Sequence, residues 1–155
     1  GRATHAIAAY RGDALAGVLL AEARGEEKPW RTLGRRLYVR LFEAAQGLLF
    51  RGGGDVYARA NREMFAQYEK AHAPEGEITF LAVDPALAGQ GVGTLLLDEL
   101  ARREAGKEFF LYTDDGCTYA FYEHRGFARA GERDIILSLN GRRVPLRCFL
   151  SRRAL

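Results

Sequence analysis

The sequence contains few cysteines, and none of them lies in a metal-binding pattern. Its 155 residues include only Cys117 and Cys148, which are far apart and form no CxxC or Cys/His ligand spacing. The histidines His5, His72 and His124 are scattered as well. Neither a disulfide framework nor a zinc site is therefore indicated, and we expect no bound metal. Such cysteine usage is typical of the reducing cytoplasm.

Long apolar runs are also missing. No segment approaches the roughly 18 apolar residues of a membrane-spanning helix, and the start of the chain lacks the basic segment and apolar core of a signal peptide. We therefore expect a soluble protein without a membrane partner. Because 48% of the residues are hydrophobic, the chain can bury one sizeable core, and a single domain over 1–155 is predicted. The net charge of +3 suits an anionic ligand but does not by itself identify one.

The first half of the chain predicts a β-hairpin followed by two helices. Apolar segments at 4–10 and 15–22 flank a turn, which is the pattern of a hairpin. Apolar residues recur every three or four positions over 30–50, which predicts one helix. After three glycines, Asp55 is the expected N-cap of a second helix that ends near Ala73 and Pro74. Together the two form a predicted helical hairpin within 28–74. Its inward stripes are Trp30, Leu33, Leu37, Leu41, Ala44 and Leu48 in the first helix, and Val56, Ala60, Met64 and Tyr68 in the second.

The second half alternates strands and helices. A strand at 78–83, a helix at 91–105 ended by Gly106, and a strand at 108–113 form a predicted right-handed parallel unit. A short helix at 117–125 follows, and Asn140-Gly141 is the strongest signal of a hairpin turn, between strands at 133–139 and 142–150. This order predicts an α/β sandwich with a mixed sheet.

Segment 82–94 is the most informative part of the chain. An apolar strand, a glycine-spaced turn and an amphipathic helix follow one another there, so backbone N–H groups converge at a helix N-terminus, a natural site for a phosphate or pyrophosphate. Gly89, Gly91 and Gly93 allow close approach of a ligand. The alternative is a tight strand-to-helix connection without a ligand. Neither a triphosphate loop nor the dinucleotide fingerprint fits the spacing.

Two motifs resemble those of the GCN5-related N-acetyltransferases. Gly91 and Gly93 match the acyl-CoA pyrophosphate loop Arg/Gln-x-x-Gly-x-Gly/Ala, whereas Ala88 departs from its first position. Segment 119–127 is similar to the family's Phe-Tyr-Glu-x-x-Gly-Phe segment. The resemblance covers a core over 77–127 and the terminal hairpin. It implies an α/β fold with a mixed, mostly antiparallel central sheet flanked by helices, in which the helical hairpin is an insertion and the family's first strand and helices are missing.

The resemblance also implies the cofactor and the residues that bind it. Acetyl-CoA is the expected cosubstrate, and its pantetheine arm is expected to pair with the strand at 81–83, where a backbone N–H polarises the thioester carbonyl. Asp115 falls where many members carry an asparagine that contacts this arm or a nearby backbone group; a cap for the following helix is the alternative. The expected binding residues are Leu81, Ala82, Val83, Ala88, Gly89, Gln90, Gly91, Val92, Gly93, Thr94 and Asp115.

Tyr122 and Glu77 are the expected catalytic residues. By resemblance, the Tyr122 phenol lies beside the thioester sulfur and protonates the departing thiolate, and Glu77 aligns with a general base that acts through water. The alternatives are a packing role for Tyr122 and a solvated carboxylate at Glu77. Cys117 has no base beside it in the sequence, so we expect a small buried residue instead of a nucleophile.

The expected activity is acyl-CoA-dependent N-acyl transfer, with acetyl passing by direct attack to a primary amine of a small molecule or peptide. The alternative is a non-catalytic acyl-CoA-binding or sensor module on the same fold. Homodimerisation is expected by analogy alone. A basic face at Arg31, Arg35, Arg36 and Arg40 accompanies no nucleic-acid-reading motif, so no nucleic-acid partner is expected. Four aromatic residues could line an acceptor pocket, although core packing is favoured: Trp30, Phe42, Phe65 and Tyr68.

Overall fold

The structure is a computed structural model that describes residues 3–26 and 54–155. The predicted helix at 30–50 lies outside these residues, together with its basic face and the aromatic residues Trp30 and Phe42. Within the described ranges, no helix is both long enough and apolar enough to cross a membrane.

The chain begins with the predicted β-hairpin. Strand β1 (His5–Arg11) pairs antiparallel with β2 (Ala14–Ala23), so this prediction is confirmed. Gly12 in the connecting turn has φ +60°, a left-handed conformation that favours glycine. Side chains alternate along β2, and its inward residues Leu19 and Ala21 are fully buried.

Helix α1 (Gly54–Tyr68) packs against a strand near the end of the chain. Ala60, Met64 and Tyr68 are buried as predicted, whereas Val56, in the first turn, is exposed. The expected start and end of the helix are wrong as well. Asp55 lies inside the first turn instead of at the N-cap, and the helix ends at Tyr68, five residues before Ala73. Pro74 disfavours helical backbone just before it, and the segment after Tyr68 forms turns in which His72 N–H donates to Tyr68 O at 3.1 Å.

The central part of the chain is the predicted parallel unit. Strand β3 (Gly76–Val83) leads through a 3-10 turn (Pro85–Leu87) into helix α2 (Val92–Arg103), and strand β4 (Glu108–Asp114) pairs parallel with β3. Gly106, with φ +82°, follows the end of the helix as predicted. The elements of this unit are therefore confirmed, with bounds that differ from the predicted ones by up to two residues.

The last part contains a short helix and a long hairpin. Helix α3 (Tyr119–Glu123) precedes β5 (Ala128–Leu139), which pairs antiparallel with β6 (Arg142–Ala154). Asn140 and Gly141 connect the strands with φ values of +50° and +77°, the left-handed pair that a two-residue hairpin turn requires. This predicted hairpin is confirmed, and both strands extend beyond the predicted bounds.

Within the described residues, the strands form a six-stranded sheet in the order β1-β2-β3-β4-β6-β5. The mixed, mostly antiparallel α/β fold confirms the predicted fold class. The chain divides into two compact units. Among the described residues, unit 1 contains 54–72 and 112–152, and unit 2 contains 3–26, 73–111 and 153–155.

Each unit has its own buried residues. In unit 1, α1 packs on β5, where a Cβ on Gly131 would lie 3.2 Å from Met64 Cβ. In unit 2, α2 packs on β1, β2 and β3, and its buried residues include Leu96 and Leu100, as predicted. The Phe109 ring packs directly on Gly76 in unit 2, because a Cβ on Gly76 would lie 2.3 Å from the phenyl ring.

Candidate functional site

The turn between β3 and α2 is built by local hydrogen bonds in unit 2. The Asp84 N–H donates to Ala16 O at 2.9 Å, which holds the end of β3 against β2. The Asp84 carboxylate accepts the Ala86 N–H at 2.9 Å and so caps the 3-10 turn, where Pro85 is in the first turn. The sequence Asp-Pro therefore sets where the chain leaves the strand and turns towards the helix.

The backbone conformation at positions 89 and 91 favours glycine. Their φ values are +77° and +83°, and no atom lies within 4 Å of the position of a Cβ on either residue. Gly91 is the N-cap of α2 and offers no capping side chain, so the first amides of the helix, including those of Val92 and Gly93, have no side-chain cap. These exposed glycines and the helix dipole form a positive backbone surface suited to an anion. Gly93, in contrast, is buried.

Two amides expected in the anion cradle are engaged elsewhere. The Ala88 N–H donates to Pro85 O and the Gln90 N–H to Leu87 O, each at 3.2 Å. The 3-10 turn therefore uses these donors internally, and the expected contact of the Ala88 backbone with the ligand stays a prediction. The helix start, from Gly91 onwards, is the part of the turn where we expect an anion to bind.

The turn also has a cationic neighbour that the sequence did not indicate. The Nη1 atom of Arg11, at the end of β1, donates to Gln90 Oε1 at 3.3 Å. The Gln90 Nε2 atom in turn donates to Ala86 O at 3.4 Å, so the amide side chain bridges the turn and the hairpin. Arg11 and Gln90 are 79 residues apart in sequence, and only the pairing of β2 with β3 brings the hairpin end to this turn.

The predicted binding strand lies directly before the turn. Leu81, Ala82 and Val83 pair with Leu19, Val18 and Gly17 of β2. The parallel pairing of β3 with β4 consists of two residue pairs at the start of both strands, Gly76 with Phe109 and Glu77 with Phe110.

Glu77, which is half-buried, forms the second of these pairs. On its other side it lies opposite Glu22 of β2. Val83 lies six positions further along the extended strand, a distance of roughly 20 Å. The expected base therefore lies at the opposite end of the strand from the glycine turn.

Tyr122 lies in unit 1 on the short helix α3. Its ring packs edge-on against Phe127, with the ring centres 5.8 Å apart, and its carbonyl accepts the Phe127 N–H at 3.1 Å. These contacts fix the position of the ring. Burial raises the pKa of the Tyr122 phenol, and the neighbouring Cys117 raises it further. The phenol therefore keeps its proton throughout the neutral range and is available as a donor.

Asp114, at the end of β4, is a second functional candidate in unit 1 that the sequence did not indicate. Its Oδ2 accepts the Tyr57 hydroxyl at 3.1 Å and its Oδ1 accepts the Gly116 N–H at 2.9 Å, while the Cys117 thiol also bonds to it. All three donors are neutral. Among residues 3–26 and 54–155, no Lys, Arg or His forms an ion pair with this carboxylate.

Tyr57 keeps its proton and therefore remains a donor to Asp114. Burial raises the pKa of the Tyr57 phenol, and the charge of Asp114 with its hydrogen bond raises it further. Cys117 responds in the same way, since partial desolvation of the thiol, followed by the charge of Asp114, raises its pKa. Cys117 is exposed, so the expectation of a buried residue at this position is wrong; Cys148 is the buried cysteine. A protonated thiol is a poor nucleophile, which agrees with the absence of an acyl-enzyme role in the prediction.

Asp115 binds a backbone group and does not cap a helix. Its Oδ1 accepts the Arg147 N–H at 3.0 Å, and its own N–H donates to Arg147 O at the same distance. The N-cap of α3 is Thr118, which makes no side-chain capping bond. The alternative of a helix cap is therefore wrong. The carboxylate instead fastens the end of β4 to β6 within unit 1.

His5 belongs to a cluster of charged side chains in unit 2. His5 is buried, and its Nε2 lies 2.6 Å from Glu104 Oε1, while Lys107 Nζ lies 2.5 Å from Glu104 Oε2. Glu26 completes the group, and one atom from each of His5, Glu26 and Glu104 lies within 4.8 Å of the others. Because Lys107 already supplies a cation to the buried carboxylate, we interpret this cluster as a structural ion-pair network.

The predicted site residues therefore fall into two groups. Unit 2 contains Glu77, the strand at 81–83 and the turn from Ala88 to Thr94, and unit 1 contains Asp115 and Tyr122.

Comparison with known proteins identifies the family. The model of the acetyltransferase (GNAT) domain matches residues 52–129, half of the chain. No sequence among the curated proteins gives a significant match.

Two solved structures share the fold. The protein smu.2055 from Streptococcus mutans UA159 has a TM-score of 0.56 at 13% identity, over 98% of this chain and 70% of that chain. A protein from Desulfovibrio desulfuricans, assigned to the GNAT acetyltransferase family, has a TM-score of 0.51 at 17% identity, over 97% and 67% of the two chains. At such low identities the two structures show a common fold only. With the family match and the glycine turn, they lead to one conclusion: the chain belongs to the GNAT family of acetyltransferases.

Proposed function

We propose that this protein is an N-acyltransferase that transfers the acetyl group of acetyl-CoA to a primary amine by direct attack. The observation that carries the proposal is the turn before α2, where two exposed left-handed glycines precede a helix without a capping side chain. Its open backbone amides and helix dipole suit a pyrophosphate. The unpaired cysteines suit a protein that acts in the reducing cytoplasm.

The residues of unit 2 fit acetyl-CoA. The space around Gly89 and Gly91 is open within 4 Å of both Cβ positions, so a phosphate can approach the main chain. Leu81, Ala82 and Val83 would hold the pantetheine arm as an additional strand, and a backbone N–H there would polarise the thioester carbonyl. Acetyl-CoA supplies the acetyl thioester and the thiolate that leaves.

Tyr122 serves as the proton donor in this proposal. A direct attack on the thioester forms the amide N–C bond and breaks the C–S bond, so the departing sulfur needs a proton. The half-buried phenol stays protonated at neutral pH, because its pKa is raised. Glu77, as a general base, takes one proton from the acceptor's ammonium ion through water and so leaves the neutral amine that attacks. The second proton, which leaves the nitrogen as the amide forms, returns to the Tyr122 phenolate after the thiolate has taken the phenol's proton.

Asp114 binds the acceptor's ammonium group in this proposal. Among the described residues its carboxylate has three neutral donors and no cationic partner. An alkylammonium ion supplies a positive charge to this carboxylate with a charge-assisted hydrogen bond. Cys117 bonds to Asp114 and also raises the pKa of the Tyr122 phenol, so the ammonium site and the proton donor share a neighbour in unit 1. Tyr57 acts as a positioning residue through its bond to Asp114.

Amine-dependent release of CoA tests the proposal. Purified protein with acetyl-CoA is assayed for free thiol against a panel of primary alkylamines, diamines and peptide N-termini. Isothermal titration of acetyl-CoA without an amine measures binding separately. Binding together with amine-dependent release supports the enzyme. Binding without release for any amine supports the alternative of a sensor module, which the departure at Ala88 favours. No heat at high micromolar acetyl-CoA would contradict both.

A further inference from the structure

We propose that Arg11 is a cofactor-binding residue that supplies the cationic side chain which the turn itself lacks at Ala88. The inference rests on the proposed function and deepens it, because it names the residue that recognises the pyrophosphate of CoA. Its basis is the hydrogen bond from Arg11 to Gln90, which brings a guanidinium group to the glycine turn.

The position of Arg11 follows from the register of the sheet. Arg11 is the last residue of β1, and β2 starts after a two-residue turn. Since β2 runs antiparallel to β3, the start of β2 and the end of β3 lie at the same end of the sheet, where Gly17 pairs with Val83. The Ala16 carbonyl accepts the Asp84 N–H there at 2.9 Å. The hairpin end and the glycine turn are therefore held together by backbone bonds.

The charge of Arg11 is available to a ligand. Within the described part of the chain, no carboxylate forms an ion pair with Arg11, and its hydrogen-bond partner Gln90 is neutral. A guanidinium has five N–H donors, and the bond to Gln90 Oε1 uses a single Nη1. The remaining donors can bind phosphate oxygens in the paired geometry that arginine favours.

Gln90 holds this arginine beside the turn. Its Oε1 accepts from Arg11 while its Nε2 donates to Ala86 O, so one side chain contacts both the hairpin and the 3-10 turn. Ala88 is exposed on the same turn and its methyl group cannot donate a hydrogen bond. Arg11 thus brings from a different strand the kind of side chain that is missing at this position.

The test measures binding, and it does not depend on turnover. Dissociation constants are determined for CoA by isothermal titration and for S-acetylpantetheine, which lacks the pyrophosphate, by NMR titration. In Arg11→Gln we expect CoA affinity to fall about tenfold and to become less sensitive to salt, because a charge-assisted phosphate contact is removed. Affinity for S-acetylpantetheine should stay the same. Arg103→Gln removes an equal charge from the far end of α2 and should change neither constant by more than about twofold.

A rescue variant separates a direct contact from a folding defect. In the double variant Arg11→Gln with Ala88→Arg, the new side chain should restore most of the lost CoA affinity. An Arg11→Gln variant with unchanged CoA affinity would overturn the inference while leaving the proposed function intact. Equal losses for CoA and S-acetylpantetheine would also overturn it. CoA binding that depends on Arg11 without any amine-dependent turnover would support Arg11 and contradict the proposed enzyme. A wild-type protein that binds no CoA would contradict both.

Discussion

The Cβ position of Gly17 lies 3.0 Å from Cγ1 of Val92, so the absence of a side chain on β2 allows the first turn of α2 to pack against the sheet. The same position lies 3.0 Å from the Ala82 carbonyl oxygen and 3.1 Å from Leu96 Cδ1. Gly17 therefore sets where the helix that follows the glycine turn begins.

Replacing Gly17 with valine should destabilise unit 2 and weaken the cofactor site. The branched side chain would collide with α2 and with backbone, so we expect the free energy of unfolding to fall by about 1–3 kcal/mol. Acetyl-CoA affinity should fall as well, because the helix start must move. Urea unfolding and isothermal titration measure the two effects. Gly54→Ala, at a position with no atom within 4 Å, is the control and should be nearly neutral. Equal stability of both variants would contradict the packing role.

Gly91→Ala should separate backbone strain from ligand binding when it is compared with Gly12→Ala. Both glycines are left-handed, at +83° and +60°, with open space around them, so each alanine should cost about 1–2 kcal/mol of stability. Only Gly91 lies at the proposed anion site, and only its variant should lose acetyl-CoA affinity. Thermal unfolding and titration of both proteins give the comparison. Equal losses of acetyl-CoA affinity in the two variants would show that backbone strain alone, and not a lost contact with the ligand, lowers the affinity.

Tyr122→Phe should lower kcat about a hundredfold, the usual contribution of a positioned proton donor, and leave the Kd of acetyl-CoA unchanged. Tyr119→Phe is the matched control, since its ring packs on Phe149 and it has no proposed catalytic role. The measurement is steady-state thiol release with saturating acetyl-CoA. A Tyr122→Phe enzyme with wild-type kcat would exclude the phenol as the donor.

The pKa of Tyr122 also predicts a pH dependence. Burial, followed by the effect of Cys117, raises the pKa of the phenol above its ordinary value of 10.0. The donor form is protonated, so it persists below this raised pKa and is lost only as the pH rises through it. Activity should therefore show no tyrosine-dependent decline below about pH 10. A Tyr122-dependent decline near neutral pH would contradict the assignment.

Asp114→Asn should raise the KM for the amine about tenfold, because the neutral amide keeps the size of the side chain but lacks the charge that pairs with an ammonium ion. Tyr57→Phe should have a smaller effect on the same constant. The Kd of acetyl-CoA should not change in either variant. Asp98→Asn, which removes an exposed carboxylate on α2, is the charge-matched control. An unchanged KM for every amine in Asp114→Asn would show that this carboxylate does not bind the acceptor.

Glu104→Gln should reduce stability at neutral pH and leave it little changed in acid. Burial alone would raise the pKa of the Glu104 carboxyl, but the hydrogen bond and charge of Lys107, with His5, lower it below its ordinary 4.5. Its contribution is therefore present above pH 4.5 and is lost as the pH falls through the lowered pKa. We expect a deficit of about 1–3 kcal/mol at pH 7 that shrinks towards pH 3. Chemical unfolding of both proteins across this range measures it. A stability deficit that does not change with pH would contradict a contribution from the Glu104 ion pair.

Most of the fold could be predicted because its signals are local. Asn140-Gly141 fixes a hairpin, Gly106 follows the end of a helix, and the apolar strands around α2 form a parallel unit. The Asp84-Pro85 cap was not predicted, and neither were the hydrogen bonds that the Ala88 and Gln90 amides make within the turn.

The contacts on which the two proposals rest were not predictable, because they join residues distant in sequence. Tyr57 and Asp114 are 57 positions apart, and Arg11 and Gln90 are 79 positions apart. No periodicity or spacing encodes such pairs; they depend on which strands become neighbours and in which register. In contrast, the motif around Tyr122 was recognisable because its members are consecutive in the chain.

The most direct test of the account is mass spectrometry of the products formed from acetyl-CoA and a primary amine. We predict that free CoA and the N-acetylated amine appear in equal amounts, only when the amine is present, and that Tyr122→Phe slows both. Acetyl-CoA that binds but yields no acetylated amine across the whole panel would contradict the account.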